Sequence, residues 1–181
     1  MGDLLPKSGD DVIINAPGDI EVLFDVSEPL QLGSLTSDEH LRLSDGDLRV
    51  SGPVSFASGR SLVVDSAAFE ALGTTSIDAV SVRAVNGAQV VLSGMGSYAN
   101  DSVNSFRAEG SGSVLSLPNL ETISSALGQY VTTRFEAVGG GTVQIGSEVS
   151  QTHSSGSVQF IADGGSESIT SVLDAPNLTQ F

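Results

Sequence analysis

The stretch FRAEGSGSVLSLPNL, residues 106–120, decides the fold, because a second version of it, FIADGGSESITSVLDAPNL, occupies residues 160–178. Both versions read Phe-x-Ala, then a glycine-containing run, then Ser-Val-Leu-x-x-Pro-Asn-Leu. Alternation of apolar residues with others predicts a half-buried β-strand, and glycine predicts a turn, where a positive φ costs little. The repetition therefore predicts a unit of strand, turn and strand that stacks on copies of itself.

This unit recurs through most of the chain at intervals typical of a solenoid. Its first strand is found as Val82-Arg83-Ala84, Phe106-Arg107-Ala108, Phe135-Glu136-Ala137 and Phe160-Ile161-Ala162. The alanines are thus spaced by roughly 20 to 30 residues, which is a solenoid period. Earlier copies are predicted at residues 41–50 and 56–64. A leucine-rich repeat needs a leucine and asparagine ladder, and a propeller blade needs about 40 residues, so a parallel β-helix fits best.

Stacking of like positions on successive coils makes the register testable. Phe106, Phe135 and Phe160 are predicted to form an inward apolar column, with the alanines in a second inward column. The outward position between them reads Arg83, Arg107, Glu136 and Ile161. We therefore expect Arg107 and Glu136 to pair across adjacent coils, for about 0.2 to 1 kcal/mol.

Length and composition define the class of protein. The 181 residues are expected to form one domain over residues 1–181, either complete or a segment of a longer solenoid, and 21 glycines with 5% aromatic residues favour an all-β chain. Cysteine is absent, which excludes disulfides and thiolate ligands. The net charge of −15 disfavours nucleic-acid binding and favours solubility, with a secondary capacity for cations such as calcium.

The predicted opening coils contain residues 9–18 (GDDVIINAPG), then Leu32-Gly33-Ser34-Leu35 and Leu41-Arg42-Leu43. These stretches resemble the opening coils of haemagglutinin-like and related right-handed β-helix proteins. Residues 113–120 and 140–145 resemble repeats of very large secreted surface proteins of marine bacteria. The repeats and the resemblance together predict a single-stranded right-handed parallel β-helix of about six to seven coils. The resemblance also implies an extracellular or cell-surface location and an adhesive or carbohydrate-associated role.

A search for catalytic groups favours a structural protein over an enzyme. Right-handed β-helices include polysaccharide lyases and glycoside hydrolases, which use clustered carboxylates, calcium or a basic residue. The acidic candidates are Asp10-Asp11, Asp25 with Glu28, Asp38-Glu39, and Asp45 with Asp47, and they share no common repeat position. His40 and His153 are expected on distant coils. We expect a non-catalytic structural or adhesive module, with a polysaccharide-binding or polysaccharide-degrading β-helix as the alternative.

Three features bear on partners. Sugars stack on exposed rings, and Tyr98 and Tyr130 lie in insertion-like segments, so these two tyrosines are the candidate ligand-binding residues. An acidic groove that contains a basic residue would favour the polysaccharide alternative. Residues 178–181 (LTQF) offer no polar cap, which predicts continuation into a longer chain or end-to-end stacking of copies. No membrane span is predicted, and Met1 to Lys7 lack signal-peptide features, so any export signal is expected to have been removed.

Overall fold

The computed structural model describes residues 5–25, 28–125, 131–146, 149–151, 156–164 and 170–176, and within these ranges all regular structure is β-strand. The strands are β1 (Asp11–Ile14), β2 (Glu21–Asp25), β3 (Leu30–Leu32), β4 (Ser34–Ser37), β5 (His40–Asp45), β6 (Asp47–Val50), β7 (Val54–Phe56), β8 (Ser61–Asp65), β9 (Ala68–Ala71), β10 (Thr75–Ser76), β11 (Ser81–Val85), β12 (Gln89–Leu92), β13 (Ser97–Asn100), β14 (Val103–Glu109), β15 (Val114–Leu117), β16 (Thr122–Ser125), β17 (Thr132–Val138), β18 (Thr142–Ile145), β19 (Ser150–Gln151), β20 (Ser157–Asp163) and β21 (Val172–Asp174).

Every third strand belongs to the same face of a three-sided β-solenoid of about six turns. Face 1 is the parallel sheet β2-β5-β8-β11-β14-β17-β20, and face 2 is the parallel sheet β3-β6-β9-β12-β15-β18-β21. Face 3 consists of two shorter sheets, β1-β4-β7-β10 and β13-β16-β19. This architecture confirms the all-β solenoid class and the predicted number of coils.

The predicted inward columns of face 1 are confirmed. Phe106 lies beside Phe135, and Phe135 lies beside Phe160, with ring centroids 5.2 and 5.4 Å apart and the rings nearly parallel. Alanines 84, 108, 137 and 162 form the second inward column. Strands β14 and β17 owe this packing to strict alternation, since every second side chain is buried.

Coil length is uneven along the solenoid. The column of face 1 that contains the phenylalanines is occupied by Val22, Leu41, Leu62, Val82, Phe106, Phe135 and Phe160. Neighbours in this column are 19 to 21 residues apart up to Val82 and 24 to 29 residues apart after it. The predicted copy at residues 56–64 was out of phase, because Phe56 lies on β7 of face 3 and Leu62 takes the Phe106 position.

A column of glycines forms the corner that follows face 2 after strands β3, β6, β9 and β12. Gly33, Gly52, Gly73 and Gly94 stack on one another, and each backbone carbonyl lies against the next glycine. A Cβ atom on Gly52, Gly73 or Gly94 would lie 2.3, 2.2 or 1.6 Å from the carbonyl oxygen of the preceding glycine. Side chains are thus excluded from this corner by the distance between adjacent coils.

The later coils bury polar side chains between faces 3 and 1. The Asn104 side-chain amide donates to the Asn100 side-chain oxygen at 2.6 Å, and the Asn100 amide donates to the Thr133 hydroxyl at 3.0 Å. The Ser81 hydroxyl donates to the Asn104 side-chain oxygen at 3.2 Å. This network satisfies Asn100, Asn104 and Thr133 and links coils through side chains as well as backbone.

Candidate functional site

The arginines of the chain connect different coils on the outer surface, most of them adjacent coils. Arg107 donates to Glu136 on the next coil at 3.2 Å, which confirms the predicted pair, and also to Glu109 at 3.1 Å. Five further arginines bond across coils, as the pairs Arg42–Asp65, Arg49–Glu70, Arg60–Asp19, Arg83–Glu109 and Arg134–Gln159. All six arginines of the sequence are therefore used between coils, and their guanidinium groups bind carboxylates or an amide of the chain itself.

Two carboxylates of face 1 respond electrostatically to these contacts. The hydrogen bond from Arg83, together with the charge of Arg107, lowers the pKa of Glu109 below its ordinary value. For Asp65, the hydrogen bond from the Asn86 side chain and then that from Arg42 lower the pKa. Both groups are stabilised in their charged form, as expected for carboxylates held by donors.

A groove of about 480 Å³ lies on the outer side of face 2, in the first coils. Its polar lining consists of Ser8, Gln31, Asp47, Arg49 and Glu70. The Arg49 guanidinium Nε lies 3.3 Å from a Glu70 carboxylate oxygen, and both side chains remain partly exposed. The groove thus combines hydrogen-bond acceptors with a cationic donor, the combination that suits a ligand rich in hydroxyl groups.

This groove brings together residues that sequence reasoning did not connect. Asp47 was a candidate as the partner of Asp45, but its neighbours in the groove are Arg49 on its own strand and Glu70 on the next coil. The register Asp47 to Ala68 and Arg49 to Glu70 positions these groups side by side. Only the shorter period of these first coils could have indicated this proximity.

The other acidic candidates mostly stabilise turns and strands. Asp10 accepts a hydrogen bond from the backbone N–H of Lys7, and Asp45 accepts one from the backbone N–H of Gly46. Asp11 accepts from the Ser34 hydroxyl on the adjacent coil. In the part of the chain that the structure describes, no three or more His, Asp or Glu side chains converge as metal ligands.

A hydrogen-bonded chain connects His40 to two other coils, and it could not be recognised in the sequence without the register. His40 and Ser61 occupy one outward column, and the His40 Nδ1 atom lies 2.9 Å from the Ser61 hydroxyl. The His40 Nε2 atom lies 3.2 Å from an Asp19 carboxylate oxygen, which also binds Arg60. Because a carboxylate only accepts, the neutral tautomer of His40 that fits both contacts donates a hydrogen bond from Nε2 to Asp19 and accepts one at Nδ1 from the Ser61 hydroxyl. The arrangement orients the hydroxyl and joins three coils.

The expectation of an exposed sugar-stacking ring at Tyr98 was wrong. Tyr98 is 1% exposed, its hydroxyl donates to the backbone carbonyl of Val80 at 3.2 Å, and its ring meets Phe106 edge-on at 4.8 Å. Burial raises the pKa of the Tyr98 hydroxyl. The segment that looked like an insertion contains strand β13, whose alternation directs Tyr98 and Asn100 inward. Tyr130 and His153 lie outside the described residues.

Comparison with protein families, with curated proteins and with solved structures gives no match. Within the described ranges, no helix has the length and hydropathy needed to cross a bilayer.

Proposed function

We propose that this chain is a structural or adhesive β-helix module of a secreted or surface-attached protein. The observation that carries the proposal is the use of all six arginines between coils. These bonds stabilise the stack of coils. The charged groups that are best placed to bind a ligand are therefore already engaged in holding coils together. Each added coil extends a β-helix by about 4.8 Å, which suits a stalk.

Two further features support a location outside the cell. Stretches at residues 9–18 and 113–120 resemble repeats of haemagglutinin-like proteins and of large bacterial surface proteins. A net charge of −15 keeps an extended surface soluble and discourages adsorption to anionic polymers. The protein is accordingly proposed to act by spacing or presenting other domains.

A second candidate function is polysaccharide binding, and the groove of face 2 favours it. Asp47, Glu70 and Arg49 form an acidic lining that includes a basic residue, which was the feature expected of a polysaccharide-binding β-helix. Calcium is a proposed assistant, because carboxylate oxygens are its preferred ligands. Cleavage of the polysaccharide, by a lyase or hydrolase mechanism, would be an extension of this candidate.

One experiment distinguishes the two functions. The purified chain is applied to a glycan array in calcium and again in chelator, beside the variants Arg49→Ala and Arg83→Ala. Both variants remove a guanidinium from an ion pair, but only Arg49 lines the groove. A structural module predicts no glycan retained above background by any of the three proteins.

Retention of a defined polysaccharide that is lost in Arg49→Ala and kept in Arg83→Ala would overturn the structural proposal in favour of recognition. The retained polysaccharide would then be incubated with the chain and its length measured. Shortened products would establish an enzyme.

A further inference from the structure

Exposed apolar side chains concentrate at the two ends of the solenoid. Among the described residues, eight large apolar side chains are exposed, and only Leu72 and Val103 of these lie on inner coils. The other six are Leu5, Ile13, Ile20, Leu23, Ile161 and Val172. The first four precede strand β3, and the last two lie on strands β20 and β21. Among the described residues, exposed large apolar side chains are therefore more frequent on the terminal coils than on the inner ones.

Two of these side chains stand at opposite ends of one outward column of face 1. The column reads Leu23, Arg42, Val63, Arg83, Arg107, Glu136 and Ile161. Leu23 is 58% exposed and Ile161 is 37% exposed, while four of the five positions between them are charged. A column that is charged in the middle and apolar at both ends is suited to an apolar contact at each end.

Face 2 also has an apolar residue at each end of an outward column, although only one of the positions between them is charged. The column reads Pro29, Asp47, Ala68, Gln89, Val114, Thr142 and Val172, and Val172 is 42% exposed. The next outward column runs from Gln31 to Asp174. At its first end, Gln31 and Gly33 are already hydrogen-bonded to the backbone of Gly9 and Asp10.

Within the described residues, the interior is only partly covered at the first coil, where Leu5 and Pro6 contribute to the cavity wall. Val12, Ile14, Val22, Phe24 and Leu30 point toward the core but are only partly buried. They line a cavity of about 550 Å³ whose wall is mainly apolar. At the other end, Phe160 and Leu173 are likewise inward and partly buried. An apolar surface of this kind gains free energy when it is covered.

We propose that a second copy of this chain stacks head-to-tail on the first, with its first coil continuing the last coil of its neighbour. One added step of about 4.8 Å would bring Leu23 of one copy onto Ile161 of the other, and Pro29 onto Val172. Inside, Val22 would follow Phe160 in the same column. Because the two contacting surfaces differ, the contact does not close on itself and leads to linear filaments.

Charge controls when this stacking occurs. On face 1 Gln159 would meet Glu21, whereas Asp163 would approach Asp25. On face 2 the Gln31 carbonyl already accepts a hydrogen bond from the Gly9 N–H at 2.7 Å, and the Gly33 N–H donates to the Asp10 carbonyl at 2.8 Å, so residues 8–10 must move aside for β21 of the second copy. Each copy carries a net charge of −15, so like charges oppose association over a distance that salt shortens. Stacking is therefore expected to strengthen with ionic strength. The proposal rests on the residue columns of the two faces. It is therefore independent of whether the module acts as a stalk or binds a glycan.

Analytical ultracentrifugation of the whole chain tests the stacking, at rising protein concentration in low and in high salt. The wild-type chain is expected to form an open series of oligomers that grows with both. Leu23→Lys and Ile161→Asp should each weaken association at least tenfold. Val103→Asp is the matched control, because Val103 is 52% exposed on the inner strand β14 and should leave association unchanged.

Mixing the two end variants gives the decisive result. The lysine at one end and the aspartate at the other become complementary, so an equimolar mixture of Leu23→Lys and Ile161→Asp should recover oligomers that neither forms alone. Recovery also shows that both variants are folded. A monomer at every concentration and salt, a series that stops at the dimer, or an equal loss in Val103→Asp would each overturn the proposal.

Discussion

Coils between Val22 and Val82 contain 19 to 21 residues, whereas coils between Val82 and Phe160 contain 24 to 29 residues. In the short coils, the inward column of face 1 holds valine and leucine, and glycines bring adjacent backbones together at the corner after face 2. In the long coils the same column holds a stack of three phenylalanines. One part packs backbone on backbone, and the other fills its interior with large side chains.

This difference teaches that coil length and side-chain volume change together. The step from face 3 to face 1 takes three residues from Ala79 to Val82 but six between the positions that stack on them, Asn100 and Phe106. A longer perimeter encloses a wider interior, which must be filled to the density of other protein cores. Tyr98 and Phe106, both fully buried on either side of this longer step, supply that volume.

The largest expected effect comes from emptying the wide interior. Phe135 is fully buried between Phe106 and Phe160, so Phe135→Ala removes the middle ring of the stack. We expect the free energy of unfolding in urea to fall by about 4 kcal/mol, as for other buried phenylalanines. Phe160→Ala is the control, because the partly exposed ring at the end of the stack should cost less. Equal losses would contradict a core centred on Phe135.

A somewhat smaller effect is expected from widening the narrow corner. Gly73→Ala places a Cβ atom 2.2 Å from the Gly52 carbonyl oxygen, so the coils must separate locally. The expected loss in the free energy of unfolding is about 3 kcal/mol, at the upper end of overpacking costs. Gly96→Ala, whose Cβ would lie 3.9 Å from the Asn119 oxygen, should change stability little. A tolerated Gly73→Ala would show that backbone contact does not set the short coils.

The smallest effect concerns the charges that tie the two parts together. Asp65 and Glu109 have a lowered pKa in the folded protein, from ordinary values of 3.8 and 4.5. Their stabilising contribution is therefore present above those values and is lost as the pH falls through the lower folded pKa. Since both groups are partly exposed, Glu109 should contribute no more than about 1 kcal/mol.

Unfolding of wild type and Glu109→Gln between about pH 6 and pH 3 measures this contribution. The two stability curves should converge as the pH falls. Glu121→Gln serves as the control, because Glu121 makes no ion pair with a described residue. A constant gap between the wild-type and Glu109→Gln curves would rule out the ionised carboxylate as the cause.

Much of the fold could be predicted because solenoid stacking turns sequence repetition into register. The recurrence of Phe-x-Ala on the long coils was sufficient for two inward columns and for the Arg107–Glu136 pair. Face 3 was harder, since its strands are short and carry few apolar residues, which is why β13 was interpreted as an insertion. The glycine corner was visible in the spacing of Gly33, Gly52, Gly73 and Gly94, but glycine at turns is too common to stand out.

The candidate site was less predictable than the fold. Groove residues Asp47, Arg49 and Glu70 are neighbours only because two coils of the short type lie in register. That register was inferred from the long coils, where the repeat is clearest, and it does not transfer to coils of another length. Tyr98 illustrates the same limit. A shift of one residue along a strand moves a side chain from the exposed face to the buried face, and the sequence alone did not settle this position for Tyr98.

The interruption of face 3 between β10 and β13 has a mechanical consequence. Hydrogen bonds between coils run along the axis of the solenoid, so a stretching force along that axis loads them directly. At this level faces 1 and 2 carry continuous ladders, while face 3 contributes the bonds from Thr75 N to Gly94 O and from Ala79 N to Ala99 O, at 3.1 and 2.8 Å. Under tension the coils are expected to separate here first. The short coils on one side of this point and the long coils on the other would then extend independently under the same force.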